Sequence, residues 1–285
     1  MKRFLNTSSS SLLSRRLMST DGTNMVRLID SSMYFGMHHL RAPLPAHIRS
    51  SYIEKMFRAG VQNIQAGNMN CNVFTPQTKE ILTELKDVKY GERILSAGVL
   101  TPSMGTEFLT TGADEMIIPI NLSLPYPLET LSFFDTLISI LRSEGYQVRL
   151  QLDGAFTYCP DALSHIVERS SQRGISHLTI IDSDNQAKPA SVGLLCDRLK
   201  SSFYSDRISF AFNNQSLSAL SNIYTALQEN IRSFHVSTNG LGGLPDIEQM
   251  IRFINYNGYQ HDVTHPERLD EISWWIRHEI DQYNL

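Results

Sequence analysis

The sequence has few cysteines, no long apolar run and no basic cluster beyond its first residues. Cys71, Cys159 and Cys196 lie far apart without CxxC or Cys/His spacing, so we expect buried or half-buried thiols and no disulfide framework. No apolar run approaches the roughly 18 residues of a membrane span, which excludes membrane insertion. With a formal net charge of -4, the chain has no electrostatic footprint for nucleic acid.

Acidic residues are missing from the N-terminal segment. Lys2, Arg3, Arg15 and Arg16 stand there with a serine cluster, and the residues after Arg15 resemble a processing site. A positive, serine-rich and acid-free start is typical of an organelle transit peptide. We therefore predict a mitochondrial leader over residues 1–24 and a location in the mitochondrial matrix; a disordered basic tail is the alternative.

The rest of the chain, residues 25–285, alternates short apolar runs with amphipathic stretches. A length of 285 residues favours one domain, because α/β barrels run to about 250 residues as a single unit. The apolar runs predict strands over 26–30, 61–66, 94–100, 116–120, 148–152, 178–181, 208–212 and a last one running into Gly240.

Helical periodicity follows each of these strands. The predicted helices cover 45–59, 76–85, a short stretch ending at Thr111, the stripe 128–141, 161–173, 191–203, the stripe 217–231 and 245–256. Because eight strands alternate with eight helices, we predict a closed (β/α)8 TIM barrel rather than an open doubly wound sheet. An extra C-terminal helix over 269–283 is expected across the barrel bottom or against a partner subunit, with Trp274 and Trp275 unable to share its buried face.

Glycines follow the last predicted strand. Gly240, Gly242 and Gly243 lie where this fold commonly binds anions through exposed backbone N–H groups, which makes them a candidate site for a phosphate or for the anionic part of an acyl-CoA. A tight strand exit that needs positive φ angles explains the same glycines equally well.

Four stretches resemble the hydroxymethylglutaryl-CoA lyase family in their order and spacing. They are residues 26–40, 99–102, 111–115 and 239–243. The resemblance implies a mitochondrial or peroxisomal TIM-barrel lyase that uses Mg²⁺ or Mn²⁺ to cleave hydroxymethylglutaryl-CoA into acetyl-CoA and acetoacetate, in leucine degradation and ketone-body formation. It also implies an acyl-CoA or small acid ligand, and a homodimer or an association with an active lyase.

The family's metal-binding and catalytic positions fall on residues without that chemistry. The arginine and the metal-binding aspartate after strand one fall on Tyr34 and Phe35, with only Gly36 kept, and the metal-binding His-x-His of strand seven falls on Phe210 and Phe212. Phenylalanine offers a divalent cation neither oxygen nor imidazole, and its ring would fill the cavity instead.

Two further family positions are also changed. The glutamate that ends strand two falls on Gln65, and the cysteine after the glycine loop falls on Leu244. Without a cation, nothing polarises the substrate's carbonyl oxygens as a Lewis acid. We therefore expect no cofactor and no metal-dependent cleavage, which leaves a pseudoenzyme with a binding or regulatory role.

Some polar residues keep alternatives open. Asp182 and His235 are weak catalytic candidates, and together with His38 and His39 they offer a relocated metal site, which gives the rival hypothesis of an active lyase. A metal-free aldolase or hydrolase with Asp182 and His235 as acid and base is a third hypothesis. The structural alternative is that Asp30 and Asp182 cap turns, His235 is a hydrogen-bonded barrel residue and the two adjacent histidines are solvated.

Overall fold

The computed structural model describes residues 24–69, 78–86, 88 and 93–283, so the predicted leader up to residue 23 and Cys71 lie outside the described residues. Within these ranges eight parallel strands form a closed barrel, because the first strand pairs with both the second and the eighth. The strands are β1 Met25–Asp30, β2 Asn63–Asn68, β3 Ile94–Gly98, β4 Glu115–Asn121, β5 Gln147–Asp153, β6 His177–Asp182, β7 Ile208–Phe212 and β8 Ser233–Val236.

Helices surround the barrel, as the alternating pattern predicts. They are α1 Ser32–Phe35, α2 Ala46–Arg58, α3 Thr78–Leu85, α4 Pro102–Phe108, α5 Pro127–Ser132, α6 Asp135–Ser143, α7 Pro160–Gln172, α8 Pro189–Leu199, α9 Ala219–Gln228, α10 Ile247–Tyr256 and α11 Leu269–Tyr283. The apolar face of each ring helix packs on the outward residues of the strands, which forms the main hydrophobic core. No helix in the described ranges is long and apolar enough to cross a membrane.

Two predicted helices differ from the structure. The stripe over 128–141 is divided into α5 and α6, because the chain turns at Phe133 and Phe134. The stripe that began at Leu217 begins instead at Ala219, since Leu217 sits in a turn with φ 59° and its amide donates to the Asn214 carbonyl at 3.0 Å. Leu217 is 83% exposed, so its assignment to the buried face was wrong.

The C-terminal helix α11 lies along the outside of the barrel and not across its bottom. It packs against α2 and against the turn 238–243 that follows β8. Asn239 of that turn donates through Nδ2 to the Ser273 carbonyl at 2.8 Å, which ties α11 to the carboxyl end of the strands. Trp275 is half-buried beneath Lys55 of α2, whereas Trp274 is 69% exposed, so the two tryptophans do lie on different faces.

The cysteines divide in the same way. Cys196 is fully buried in α8, and burial raises the pKa of its thiol to about 12. Cys159 is exposed just before α7, so the prediction of a buried or half-buried thiol was wrong there. Neither of these two residues is in a disulfide.

A short strand β9, Gln260–His261, pairs with the start of β1 outside the ring. Asp262, directly after it, accepts the Leu28 amide through Oδ1 at 3.0 Å. The segment between α10 and α11 is therefore tied to the amino end of β1 by backbone pairing and by one buried carboxylate.

Candidate functional site

A chain of hydrogen bonds begins at the amino end of the barrel interior. The carboxylate of Glu115 accepts from Arg149 Nε at 2.8 Å and bonds to His177 Nδ1 at 2.9 Å. Burial raises the pKa of Glu115, but the charge of Arg149 and the contact with His177 outweigh burial and lower that pKa to about 2. Arg149 Nη1 then donates to Thr179 Oγ1 at 3.2 Å and to Ser209 Oγ at 3.1 Å.

The chain continues through His235 toward the carboxyl ends of the strands. His235 Nε2 lies 3.2 Å from Ser209 Oγ, its Nδ1 lies 2.8 Å from Ser31 Oγ, and that hydroxyl donates to Gln65 Oε1 at 2.8 Å. Burial first, and the charge of Arg149 second, hold the pKa of His235 well below its ordinary value. His235 is therefore neutral and fully hydrogen-bonded inside the barrel, as the structural alternative proposed.

Beyond this series of hydrogen bonds, apolar side chains close the carboxyl end of the barrel. Ile181 of β6, Ala211 of β7 and Leu244 after β8 form a buried cluster separate from the main core, and Phe35 packs against it. Ile181 and Ala211 lie two residues beyond Thr179 and Ser209, so they face the same interior closer to the carboxyl ends. We call these four residues the mouth cluster.

The assignment of Phe210 and Phe212 to the mouth was wrong. Successive residues of a strand face opposite sides, and Ser209 faces the interior, so both phenylalanines face the helices. Their rings stack at 5.0 Å between centroids, and Phe156 packs beside them at 6.5 and 6.2 Å in the main core. Of the three predicted ring positions, only Phe35 lies in the mouth cluster.

The alternation of inward and outward side chains along β7 identifies the residues that face the mouth in place of the two phenylalanines. Two ligands spaced by one residue near the end of β7 face inward only from Ala211 and Asn213. Alanine offers a metal ion no donor. The side-chain oxygen of Asn213 already accepts the Gln215 amide at 2.8 Å, and its nitrogen donates to the Ser183 carbonyl at 3.2 Å. Neither inward-facing residue at the end of β7 therefore replaces a metal-binding histidine.

Asp182 and His235 are not paired. Asp182 shares the outward side of β6 with Ile180 and caps the following turn, because its Oδ1 accepts the amides of Gln186 at 2.7 Å and Ala187 at 3.0 Å. Burial raises the pKa of Asp182 against those two bonds. His235 makes its hydrogen bonds inside the barrel, and none of them reaches Asp182.

Asp30 is a fully buried carboxyl group at the end of β1. Its Oδ1 accepts from Ser32 Oγ at 2.6 Å and from the Tyr52 hydroxyl at 3.1 Å, and Tyr52 in turn lies 2.6 Å from Thr238 Oγ1. Burial raises the pKa of Asp30 to about 6, although those two hydroxyls act in the opposite direction. The group thus joins β1, α2 and the turn after β8.

The turn 238–243 has the left-handed backbone that its glycines allow. Gly240, Gly242 and Gly243 have φ angles of 69°, 71° and 77°. A Cβ on Gly242 would stand 2.6 Å from Phe35 Cβ and 2.9 Å from the Gly36 nitrogen, so this glycine is required for close packing. Gly240 has open space around it, which leaves the anion-binding prediction standing there.

The structure shows hydrogen bonds among further polar residues near the carboxyl ends of the strands. Ser183 Oγ donates to Asp153 Oδ1 at 2.6 Å beside the mouth cluster. The buried Tyr34 hydroxyl bonds to Asn68, and burial raises the pKa of that tyrosine well above its usual range. The available signal was position, since Asn68, Asp153 and Ser183 stand at or directly after strand ends, although Tyr34 lies in α1.

Metal-binding chemistry does not converge at the mouth. Among the described residues, no group of three or more His, Cys, Asp or Glu side chains is arranged to hold a metal ion. His39 is exposed, and the side chain of His38 lies outside the described part. The apolar contacts of Phe35, Ala211 and Leu244 do not fit a divalent cation, which needs several oxygen or nitrogen ligands.

Comparisons with known proteins find hydroxymethylglutaryl-CoA lyases and, in fold, also the carboxyl transferase domain of Rhizobium etli pyruvate carboxylase. No protein-family model matches the chain. The hydroxymethylglutaryl-CoA lyase YngG of Bacillus subtilis is 23% identical over 211 residues, which cover 68% of this chain and 70% of the relative. The crystal structure of the Bacillus subtilis HMG-CoA lyase has a TM-score of 0.83 at 19% identity, covering 90% of this chain and 94% of that one.

A second solved relative carries bound ligands. The HMG-CoA lyase of Acinetobacter baumannii, in complex with coenzyme A and 3-methylmalate, has a TM-score of 0.82 at 16% identity and covers 90% of this chain and 92% of that one. At these identities the structural likeness establishes the shared TIM-barrel fold.

Proposed function

Because the chain is related in sequence and fold to the hydroxymethylglutaryl-CoA lyases, we propose that it keeps their barrel without metal-dependent cleavage and acts in binding or regulation. The observation that carries this proposal is the mouth cluster. Phe35, Ala211 and Leu244 make apolar contacts at the carboxyl end of the barrel, where catalysis takes place in TIM-barrel enzymes.

The energetics of ion burial support the proposal. A divalent cation leaves water only where protein oxygens or nitrogens replace its hydration, and an apolar ring replaces none of it. The oxygens near the mouth cluster are few: Asp153 accepts from Ser183, Asn213 accepts from Gln215, and in the described residues Asp153 belongs to no group of three or more His, Cys, Asp or Glu side chains that could hold a cation. We therefore derive no catalytic step through a metal ion for this chain.

The decisive experiment measures metal content and turnover on one purified sample of the full chain. After incubation with Mg²⁺ or Mn²⁺ and removal of free metal, we expect substoichiometric metal and no acetoacetate release from hydroxymethylglutaryl-CoA. The Bacillus subtilis lyase, treated identically, is the positive control. Acetoacetate release that a chelator abolishes would establish the rival hypothesis, an active lyase with relocated ligands.

The metal-free alternative is tested with a single variant. An aldolase or hydrolase that used Asp182 and His235 would lose turnover in Asp182→Asn. Since Asp182 caps a turn and does not contact His235, we expect no such turnover in the wild-type chain. Metal-independent cleavage that the variant abolishes would instead favour this third hypothesis.

The ligand is proposed to be an acyl-CoA or a small acid. Coenzyme A is bound in the Acinetobacter baumannii relative, and the open backbone at Gly240 in this chain is suited to an anionic group. Titration of coenzyme A into the full chain tests this. We expect saturable binding, and binding no stronger than that of adenosine alone would contradict a role for the acyl-CoA's anionic arm.

Location and partner complete the proposal. We propose a mitochondrial matrix protein with a leader over residues 1–24, acting as a homodimer or beside an active lyase. Import of the full chain into isolated mitochondria, with shortening at the predicted processing site, tests the location. Co-purification from the matrix, followed by measurement of the mass of the complex, distinguishes the two partners from a monomer.

A further inference from the structure

The amino end of the barrel contains a cavity of about 40 Å³, at the opposite end from the mouth cluster. Its wall includes the first residues of several strands, among them Arg27, Asn63 and Gln147. Three arginines line it, Arg27 and Arg149 with Arg207, which directly precedes β7. Asp206 is the one carboxylate among the lining residues, and Glu115, outside the lining, pairs with Arg149. With Arg27 and Arg207 added, a net positive charge remains.

The guanidinium groups retain unused hydrogen-bond donors. Arg149 is only 6% exposed, and its Nε and Nη1 are held by Glu115, Thr179 and Ser209, while Nη2 makes no hydrogen bond in the described residues. Within the same part of the chain, the side chain of Arg27 makes no hydrogen bond and no ion pair, although its charge acts on the Asp262 carboxylate. Guanidinium groups bind phosphate and related oxyanions through paired N–H donors.

A buried amide in the same wall lacks a partner. Gln147 is half-buried, and its side-chain oxygen is shielded from solvent without a hydrogen bond. A carboxamide can be turned by 180° so that its nitrogen takes the place of its oxygen. Turned in this way, Gln147 presents a donor to the cavity, and an anion there would satisfy it.

We propose that this cavity is a binding site for a small oxyanion of the phosphate or sulfate class. Its volume suits a single tetrahedral group and excludes the bulk of a nucleotide. Arg149 supplies a guanidinium already fixed by Glu115, so little side-chain freedom is lost on binding. Arg27 and Arg207 complete the positive wall from the solvent side.

The test compares thermal unfolding of the full chain in inorganic phosphate and in chloride at equal ionic strength. We expect phosphate to raise the Tm with a saturable concentration dependence, because a ligand of the native state stabilises it by mass action. In Arg27→Gln, the apparent dissociation constant for phosphate should rise about tenfold, as expected for the loss of one charged donor. Arg207→Gln, at an exposed position, gives a second variant if Arg27→Gln does not fold.

The matched control is Arg198→Gln on the exposed face of α8, away from the cavity. It removes the same charge and should leave the phosphate dependence unchanged. An equal rise in Tm with chloride, or an equal loss of affinity in Arg198→Gln, would overturn the proposal, since either result would indicate general screening.

Discussion

The two ends of the barrel have opposite chemistry. At the carboxyl end, the interior is closed by Phe35, Ile181, Ala211 and Leu244, which offer no hydrogen bond and no charge. At the amino end, Glu115 and Arg149 form an ion pair with side chains 1% and 7% exposed, extended by buried hydroxyls. In enzymes of this fold the carboxyl end carries the reactive groups and the other end serves stability.

The difference shows what each end requires of its neighbours. An apolar cluster is stabilised by leaving water and needs no specific partner. A buried charge persists only when its partner and the surrounding hydrogen bonds are complete. The amino end therefore depends on a few residues acting together, whereas the mouth depends on volume and packing.

The largest expected effect comes from breaking the buried ion pair. Arg149→Met keeps most of the side-chain volume but leaves Glu115 without its main counter-charge in a site that is almost completely buried. We expect the free energy of unfolding to fall by about 3–5 kcal/mol. Urea denaturation at neutral pH measures this change.

The matched control is Lys79→Met, which breaks the ion pair with Glu107, whose side chains are 52% and 55% exposed. Here the expected loss is about 1 kcal/mol or less. Equal losses of unfolding free energy in the two variants would mean that the hydrogen-bonded residues inside the barrel do not act together.

The second prediction concerns Asp30, which joins the turn 238–243 to α2. Because burial raises its pKa to about 6, the folded state holds this proton more tightly than the unfolded state. The resulting stability is fully present below the unfolded pKa and is lost as the pH rises through about 6. The whole shift corresponds to about 3 kcal/mol in the free energy of unfolding, most of which is lost between pH 4 and pH 7.

Asp30→Asn removes this proton while keeping an oxygen for Ser32 and Tyr52. The stability of the wild type relative to Asp30→Asn should fall between pH 4 and 7, as measured by urea denaturation of both proteins across that range. Asp262, whose pKa burial also raises to about 6, adds a similar slope, so Asp262→Asn is the parallel variant. Because burial lowers the pKa of His235, that residue adds stability as the pH rises over the same interval, so the test is the difference between the wild type and each variant. A wild-type stability that does not fall relative to a variant over this interval would contradict the corresponding assignment.

The barrel was predictable because the alternation of strands and helices is repeated eight times in the sequence. It was harder to predict which side chains of β7 face the barrel interior. Its residues Ile208–Phe212 are all apolar or small, since a parallel strand is buried on both faces, so polarity does not mark the interior. The hydrogen bonds of Ser209 to Arg149, Thr179 and His235 fix which residues face inward, and they join residues 60, 30 and 26 positions apart.

The hydrogen bonds inside the barrel were not predicted for a related reason. Glu115 and Arg149 each stand near the start of a strand, where a charged residue is normally interpreted as the exposed edge of the element. The predicted barrel makes the two strands neighbours, but nothing local indicates the register that brings these side chains to 2.8 Å. The position of Phe35 was predictable because Gly36 anchors its alignment beside the end of β1.

The smallest expected effect is at the turn that packs on the mouth. Gly240 and Gly242 have nearly equal φ angles of 69° and 71°, so alanine at either position carries the same left-handed backbone cost of about 1 kcal/mol. They differ in the room that each position leaves for a Cβ atom. A Cβ on Gly242 meets Phe35 Cβ at 2.6 Å, its carbonyl carbon at 2.7 Å and the Gly36 nitrogen at 2.9 Å, whereas Gly240 has no atom within 4 Å.

Backbone atoms at those distances have to move, and overpacking of this kind adds about 1–3 kcal/mol. We therefore expect Gly242→Ala to lower the free energy of unfolding by that amount more than Gly240→Ala, as measured by urea denaturation of both variants. Because the displaced atoms belong to Phe35, Gly242→Ala should also open the mouth cluster to solvent, detected as faster amide exchange of residues 34–36. Equal losses of stability with unchanged exchange would show that the turn does not hold Phe35 in place, and the mouth would then be closed by Leu244 and its barrel neighbours alone.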